Sequence, residues 1–97
     1  MTGKVLTEVV ATVPEDRAAD VVPAFEALLA KPLPDGLLRT ELLEASGSTW
    51  RIQSLWRDQA ALDAMRAGPE PPAAPTLFRE LGAEPSLTIL RVQAEHP

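Results

Sequence analysis

The chain contains no cysteine, no tyrosine and no asparagine, and its one histidine, His96, is the next-to-last residue. Without cysteine there is no disulfide framework, no thiolate nucleophile and no thiolate metal site, and the redox compartment is left open. With imidazole confined to His96 and no phenol at all, the inventory argues against a buried catalytic histidine, a tyrosyl acid or a Ser-His-Asp constellation. Basic clusters are missing too. A net charge of −5 with scattered Lys and Arg disfavours nucleic acid, whose phosphates require a basic surface. No apolar run approaches the roughly 20 residues of a membrane span, and Met1–Val5 lacks the basic region and apolar run of a signal peptide. A cytoplasmic protein that does not enter membranes is the expectation.

The 97 residues are read as one domain, 1–97, near the size where burial suffices for independent folding but is not generous. With neither disulfide nor metal to add stability, further burial has to come from association, so a homodimer is expected.

The most informative stretch is Trp50–Asp58, which carries both tryptophans. Read as a strand running into a helix, it places Trp50, Ile52, Ser54 and Trp56 on one face and Arg51, Gln53, Leu55 and Arg57 on the other. Val5–Val13 alternates in the same way, with Val5, Thr7, Val9, Ala11 and Val13 against Leu6, Glu8, Val10 and Thr12, and its β-branched content predicts a strand. Asp16–Ala30 is helical in composition, with Ala18, Val22, Phe25, Leu28 and Leu29 as its apolar stripe. Pro23 would cost roughly 3 kcal/mol in a helix interior, which predicts an irregular start and regular helix from about Val22. Pro32, Pro34 and Gly36 break the chain before a second strand, Leu37–Glu44. There Leu38, Thr40 and Leu42 oppose Leu37, Arg39, Glu41 and Leu43, and Ala45–Ser48 turns it into the strand at Thr49–Arg57.

Asp58 is a natural cap for a helix over Gln59–Ala67, which Gly68-Pro69 stops. After a proline-rich loop, Thr76 is placed to cap a short helix, Leu77–Leu81, closed by Gly82. Ser86–Ala94 alternates as a fourth strand, and Glu95–Pro97 reads as a frayed tail. Strand, helix, strand occurs twice. That predicts an α+β, ferredoxin-like split βαβ fold, a four-stranded antiparallel sheet with helices on one face. The other face then exposes Leu6, Val10, Leu37, Leu43 and Leu55 among Glu8, Arg39, Glu41, Arg51 and Gln53. Apolar area on that scale marks an interface, and two such faces packed together form a dimeric α/β barrel. The charged set is read as a paired network fixing dimer register, with a catalytic cluster inside the barrel as the alternative.

These elements resemble the antibiotic biosynthesis monooxygenase family of dimeric α/β barrels. The likeness rests on Gly36-Leu37-Leu38-Arg39-Thr40-Glu41-Leu42, on the junction Leu55-Trp56-Arg57-Asp58-Gln59-Ala60-Ala61-Leu62, and on Phe78-Arg79-Glu80-Leu81. It implies a homodimeric, cofactor-independent monooxygenase that needs no metal, acts on a planar, polyketide-type aromatic and takes dioxygen as co-substrate. Trp56 corresponds to the family's pocket tryptophan and Arg79 to a pocket arginine of some oxygenases. Trp50, Ser54, Thr7, Phe25, Leu62, Met65 and Phe78 would line the substrate pocket. Packing alone also accounts for Trp56 beneath the Leu62 helix, and ordinary strand hydroxyls for Thr7 and Ser54. Departures from the family pattern lie at Met65, where a histidine is common, at Ile52, where polyketide oxygenases carry asparagine, and on the later helix, which lacks the histidine that would ligate haem. A non-catalytic small-molecule-binding or interaction module of the same fold, or a cyclase or isomerase of natural-product biosynthesis, is the alternative.

Overall fold

A computed structural model of the chain describes residues 3–96. It contains β1 (Val5–Thr12), a 3-10 turn (Glu15–Asp20), α1 (Val21–Leu29), β2 (Leu37–Ala45), β3 (Thr49–Trp56), α2 (Gln59–Arg66), α3 (Ala73–Glu80) and β4 (Ser86–Arg91). The strands form one antiparallel sheet in the order β2-β3-β1-β4, the predicted ferredoxin-like arrangement, with helices packed on one face.

Local chemistry sets the boundaries. Pro23 is the third residue of α1, where the amide it lacks would have no helical partner, and the 3-10 turn before it takes up the irregularity. The buried stripe of α1 is Val21 and Phe25, with Ala24 and Leu28 half-buried. Val22 and Leu29, expected on that stripe, are exposed: Val22 lies roughly 100° around the helix from buried Val21, and Leu29 ends the helix beside an exposed connector. Asp58 caps α2 as expected, its carboxylate accepting from the Ala61 amide at 2.8 Å.

The third helix begins earlier than Thr76. Pro72 occupies its cap position with ψ 131°, a geometry proline favours, and Pro75 falls within the first turn, where it costs little. The Thr76 hydroxyl instead donates back to the Pro72 carbonyl at 2.8 Å. Gly82, at φ 80°, closes α3. Its amide donates to Arg79 O at 3.0 Å and that of Ala83 to Phe78 O at 2.9 Å, a Schellman arrangement.

A bulge corrects the expected faces at the start of β2. Leu37 stands opposite Trp56 and Arg39 opposite Leu55, so Leu38 is an extra residue in the ladder. Leu37 therefore turns toward the helices and packs against the cluster around Trp56, while Leu38 is exposed. Beyond the bulge the alternation follows the expected pattern, and β4 ends at Arg91, short of the expected Ala94.

Two glycines separate backbone strain from steric crowding. Gly47 (φ 76°) has open space where a Cβ would stand, whereas a Cβ on Gly36 (φ 85°) would run into the Ala61 side chain under α2. Gly47→Ala should cost about 1 kcal/mol from left-handed backbone alone, and Gly36→Ala about twice that or more. Urea denaturation of the two variants against the parent measures the difference, and equal midpoints would contradict it.

Candidate functional site

Antiparallel pairing aligns the helix-facing side chains into rungs that cross the whole sheet. One rung runs Leu37, Trp56, Val5, Arg91; the next Thr40, Ser54, Thr7, Ile89; the third Leu42, Ile52, Val9, Leu87. The middle rung thus brings three hydroxyls together from three strands between two apolar rows. Thr7 and Ser54 are only 7% and 8% exposed, so their polar atoms must find partners inside the protein.

They find one another. The Thr40 and Ser54 hydroxyls are 2.9 Å apart, with either as donor. The Trp56 indole N–H donates to Thr7 Oγ1 at 3.1 Å, and the Thr7 hydroxyl reaches the Ser54 carbonyl at 3.5 Å. This polar seam divides the apolar interior. On one side Val5, Trp56, Ala61 and Leu62 are packed with Leu37 and Met65. On the other, Phe25, Trp50, Ile52, Leu77 and Phe78 form the core of a larger cluster under α1 and α3.

The residues singled out in the sequence fall into three groups. Thr7, Ser54 and Trp56 meet at the seam, with Leu62 and Met65 beside Trp56. Phe25, Trp50 and Phe78 are neighbours in the larger cluster. Arg79 is exposed on α3, next to Phe78, which is wholly buried. Thr40, which the sequence reading passed over, belongs to the seam through its bond to Ser54. Its only signal is strand register, which a pattern of alternation does not reveal. The two indoles also differ. Trp56 Nε1 is satisfied, whereas Trp50 Nε1 is buried without a hydrogen-bond partner among the described residues.

The opposite face carries Leu6, Leu55 and Leu90 on one rung and Glu41, Gln53, Glu8 and Thr88 on the next. Glu8 holds Arg51 at 3.1 Å and accepts from the Gln53 amide at 2.8 Å. Arg39 and Glu41 pair at 2.9 Å. The signs therefore balance within one chain, across a surface on which Leu38, Leu43 and Leu90 are exposed. Among the described residues, no three His, Asp or Glu side chains gather as a metal site, and no helix is long and apolar enough to cross a membrane.

No family model matches the sequence, nor does any curated protein. Solved structures do match it. A variant of SnoaB, a cofactor-independent oxygenase from Streptomyces nogalater, is similar with a TM-score of 0.76 and 20% identity, over 98% of this chain and 98% of that one. A Deinococcus radiodurans protein, whose name as an antibiotic biosynthesis monooxygenase is itself an inference, reaches 0.76 at 16% identity over 96% of each chain. Rv0793 from Mycobacterium tuberculosis reaches 0.73 at 18% identity, covering 97% of this chain and 99% of its own. The chain has the antibiotic biosynthesis monooxygenase fold. At these identities the likeness is one of fold, and it supports the resemblance read from Gly36–Leu42 and Leu55–Leu62 at that level.

The unequal indoles give a test of the seam. Replacing Trp56 with Phe removes a buried hydrogen bond and leaves Thr7 one partner fewer, whereas Trp50→Phe removes an N–H that has no partner. Each loses similar volume. Trp56→Phe should therefore be the more destabilising by about 1 kcal/mol, read from paired chemical-denaturation curves. A larger loss for Trp50→Phe would sink this account.

Proposed function

We propose that the chain is a cofactor-independent oxygenase of planar, electron-rich aromatics of the polyketide type, acting as a homodimer. The observation that carries this reading is the hydroxyl rung Thr40–Ser54–Thr7, set against the Trp56 indole in the fold that the chain shares with SnoaB. A planar phenol or enol entering between sheet and helices would stack along Trp56 and place its oxygen on this rung. There the Ser54 hydroxyl would exchange its bond to Thr40, and the Thr7 hydroxyl its bond to the Ser54 carbonyl, for bonds to the ligand. Donors held in a water-poor interior favour the anion of such a substrate.

The substrate anion supplies the electrons. Deprotonation of an acidic ring CH2 gives a carbanion stabilised as an enolate, and its reaction with O2 forms a C–O bond to a hydroperoxide. Loss of water from the CH–OOH group leaves C=O. The balance is CH2 plus O2 to C=O plus H2O, with four electrons passing from carbon to dioxygen. Glu44 is the only acid or base on the helix-facing rungs that pair β2 with β3, and it is exposed at their end. With no base inside, the substrate enters already ionised as its enolate, its proton left with base in the surrounding solvent. The protein contributes orientation, exclusion of water and hydrogen bonds to the enolate oxygen.

One observation favours a non-catalytic ligand-binding module instead. The seam hydroxyls and the Trp56 N–H are already spent on one another, as expected of a structural network. Oxygen consumption separates the two readings. With an anthrone, the enzyme should take up one O2 per anthrone converted. Ser54→Ala, which leaves Thr40 without its partner and should cost about 1 kcal/mol of stability, should still fold and should lower kcat roughly 100-fold. Ligand-induced thermal stabilisation without enzyme-dependent oxygen uptake would leave the binding module.

Homodimerisation is proposed from the outer face. Its apolar rung of Leu6, Leu55 and Leu90 and its balanced Glu8, Arg39, Glu41 and Arg51 suit a self-complementary twofold contact. Sedimentation should give the mass of two chains, and Leu55→Glu should yield monomers by burying a charge in the contact. A parent protein sedimenting as a monomer at micromolar concentration would refute the contact.

A further inference from the structure

We infer that the cleft between β4 and the start of α2 receives the anionic end of the ligand, a carboxylate at the edge of an aromatic ring system, with Arg91 as its partner. This rests on the aromatic-ligand reading above and adds a recognition site to it. The cleft, about 270 Å³ in volume, is lined by Gly3, Lys4, Val5, Gln59, Arg91 and Val92. Two cations and no carboxylate line it, in a chain whose net charge is −5. Lys4 holds Glu95 at 2.7 Å, and the Gln59 amide donates to Asp63 at 2.9 Å. Arg91 makes no ion pair among the described residues. A guanidinium with apolar Val5 and Val92 beside it is a fork for two carboxylate oxygens.

A second cleft shows what distinguishes this one. It measures about 370 Å³ and lies by Pro34, Arg57 and Met65, but Arg57 faces Asp35 at 3.7 Å and Asp58 at 3.5 Å. Its charge is already matched from within the chain.

Register ties Arg91 to the seam. It stands opposite Val5 on the helix-facing side of the sheet, two residues from Ile89, which is directly opposite Thr7. Leu87 continues the row opposite Val9. Ile89 and Leu87 are 38% and 44% exposed although they lie on the face that the helices cover elsewhere. At roughly 3.4 Å per residue, Ile89 is about 7 Å and Leu87 about 14 Å along the strand from Arg91. The result is an open apolar shelf with a cation at one end and the Thr7 hydroxyl along its inner side. A flat, fused ring system bearing a carboxylate at its edge matches each of these features, whereas a neutral ring would leave the exposed Arg91 to solvent and gain nothing from it.

The test compares anthraquinone-2-carboxylate with its methyl ester by calorimetric titration. The parent should bind the carboxylate at least roughly tenfold more tightly than the ester. Arg91→Gln should bring the two within about twofold by weakening the carboxylate alone, and Arg57→Gln should keep the preference. Equal affinities in the parent, or a preference that survives Arg91→Gln, would overturn the carboxylate site while leaving the aromatic-ligand reading intact. Loss of both probes in Arg91→Gln would make the residue structural and overturn it too. If neither probe binds the parent, the aromatic-ligand reading itself falls.

Discussion

The pairing of β1 with β3 is the constraint from which everything else follows. Eight residues of each strand stand opposite one another, from Val5 with Trp56 to Thr12 with Thr49. Because side chains alternate, this register decides for both central strands which groups meet the helices. A slip of one residue would turn Trp50, Ile52 and Trp56 out toward the other face. Each is now nearly fully buried, and burial of a large apolar side chain stabilises by about 1.5–3 kcal/mol. A slipped register would forfeit several such terms together. No single hydrogen bond or ion pair in the molecule has comparable leverage.

The same register places polar groups inside an otherwise apolar interior. An apolar side chain at every helix-facing position would give a continuous core, yet the second rung carries Thr40, Ser54 and Thr7. Their burial is tolerated because each hydroxyl has a partner, and an unmet buried polar group would cost about 1–3 kcal/mol. Trp56 has two roles here. Its ring fills the smaller apolar cluster, and its N–H serves the seam. The result is an apolar interior divided by a polar row whose hydroxyls are satisfied within the chain.

The outer face follows the same logic with opposite emphasis. Its polar rung of Glu41, Gln53 and Glu8 lies between a leucine-rich row and a mixed row carrying Leu43, Arg51 and Val10. Glu8 is held by two neighbours on β3, which spreads its charge over groups that would otherwise compete for it. At the edge strand β4 the helix layer no longer reaches the sheet, and Leu87 and Ile89 stay open. A central strand and an edge strand thus present similar aliphatic side chains to different surroundings, one a core and the other a shelf.

Much of this was legible in the chain alone. The alternation of Val5–Val13 and Thr49–Trp56, the stop at Pro32–Gly36 and the cap at Asp58 are local signals, each governed by residues within a few positions, and they predicted the order of elements and the four-stranded antiparallel fold. The inward direction of Trp50, Ile52, Ser54 and Trp56 followed from the same period of two. Local pattern does not contain the partner of each strand residue. Only tertiary pairing placed Thr40 beside Ser54, set Leu37 inward through the bulge at Leu38, and brought Arg91 into line with Val5 and Trp56. The short third helix was misjudged at its start because Pro72 and Pro75 are breakers within a strand or a helix interior but are accommodated at a helix cap and first turn. Composition and periodicity determined which residues are buried as a class. Which buried hydroxyl meets which, and which cations have a carboxylate within reach, depends on contacts between residues distant in sequence, and those exist only once the sheet has closed its register.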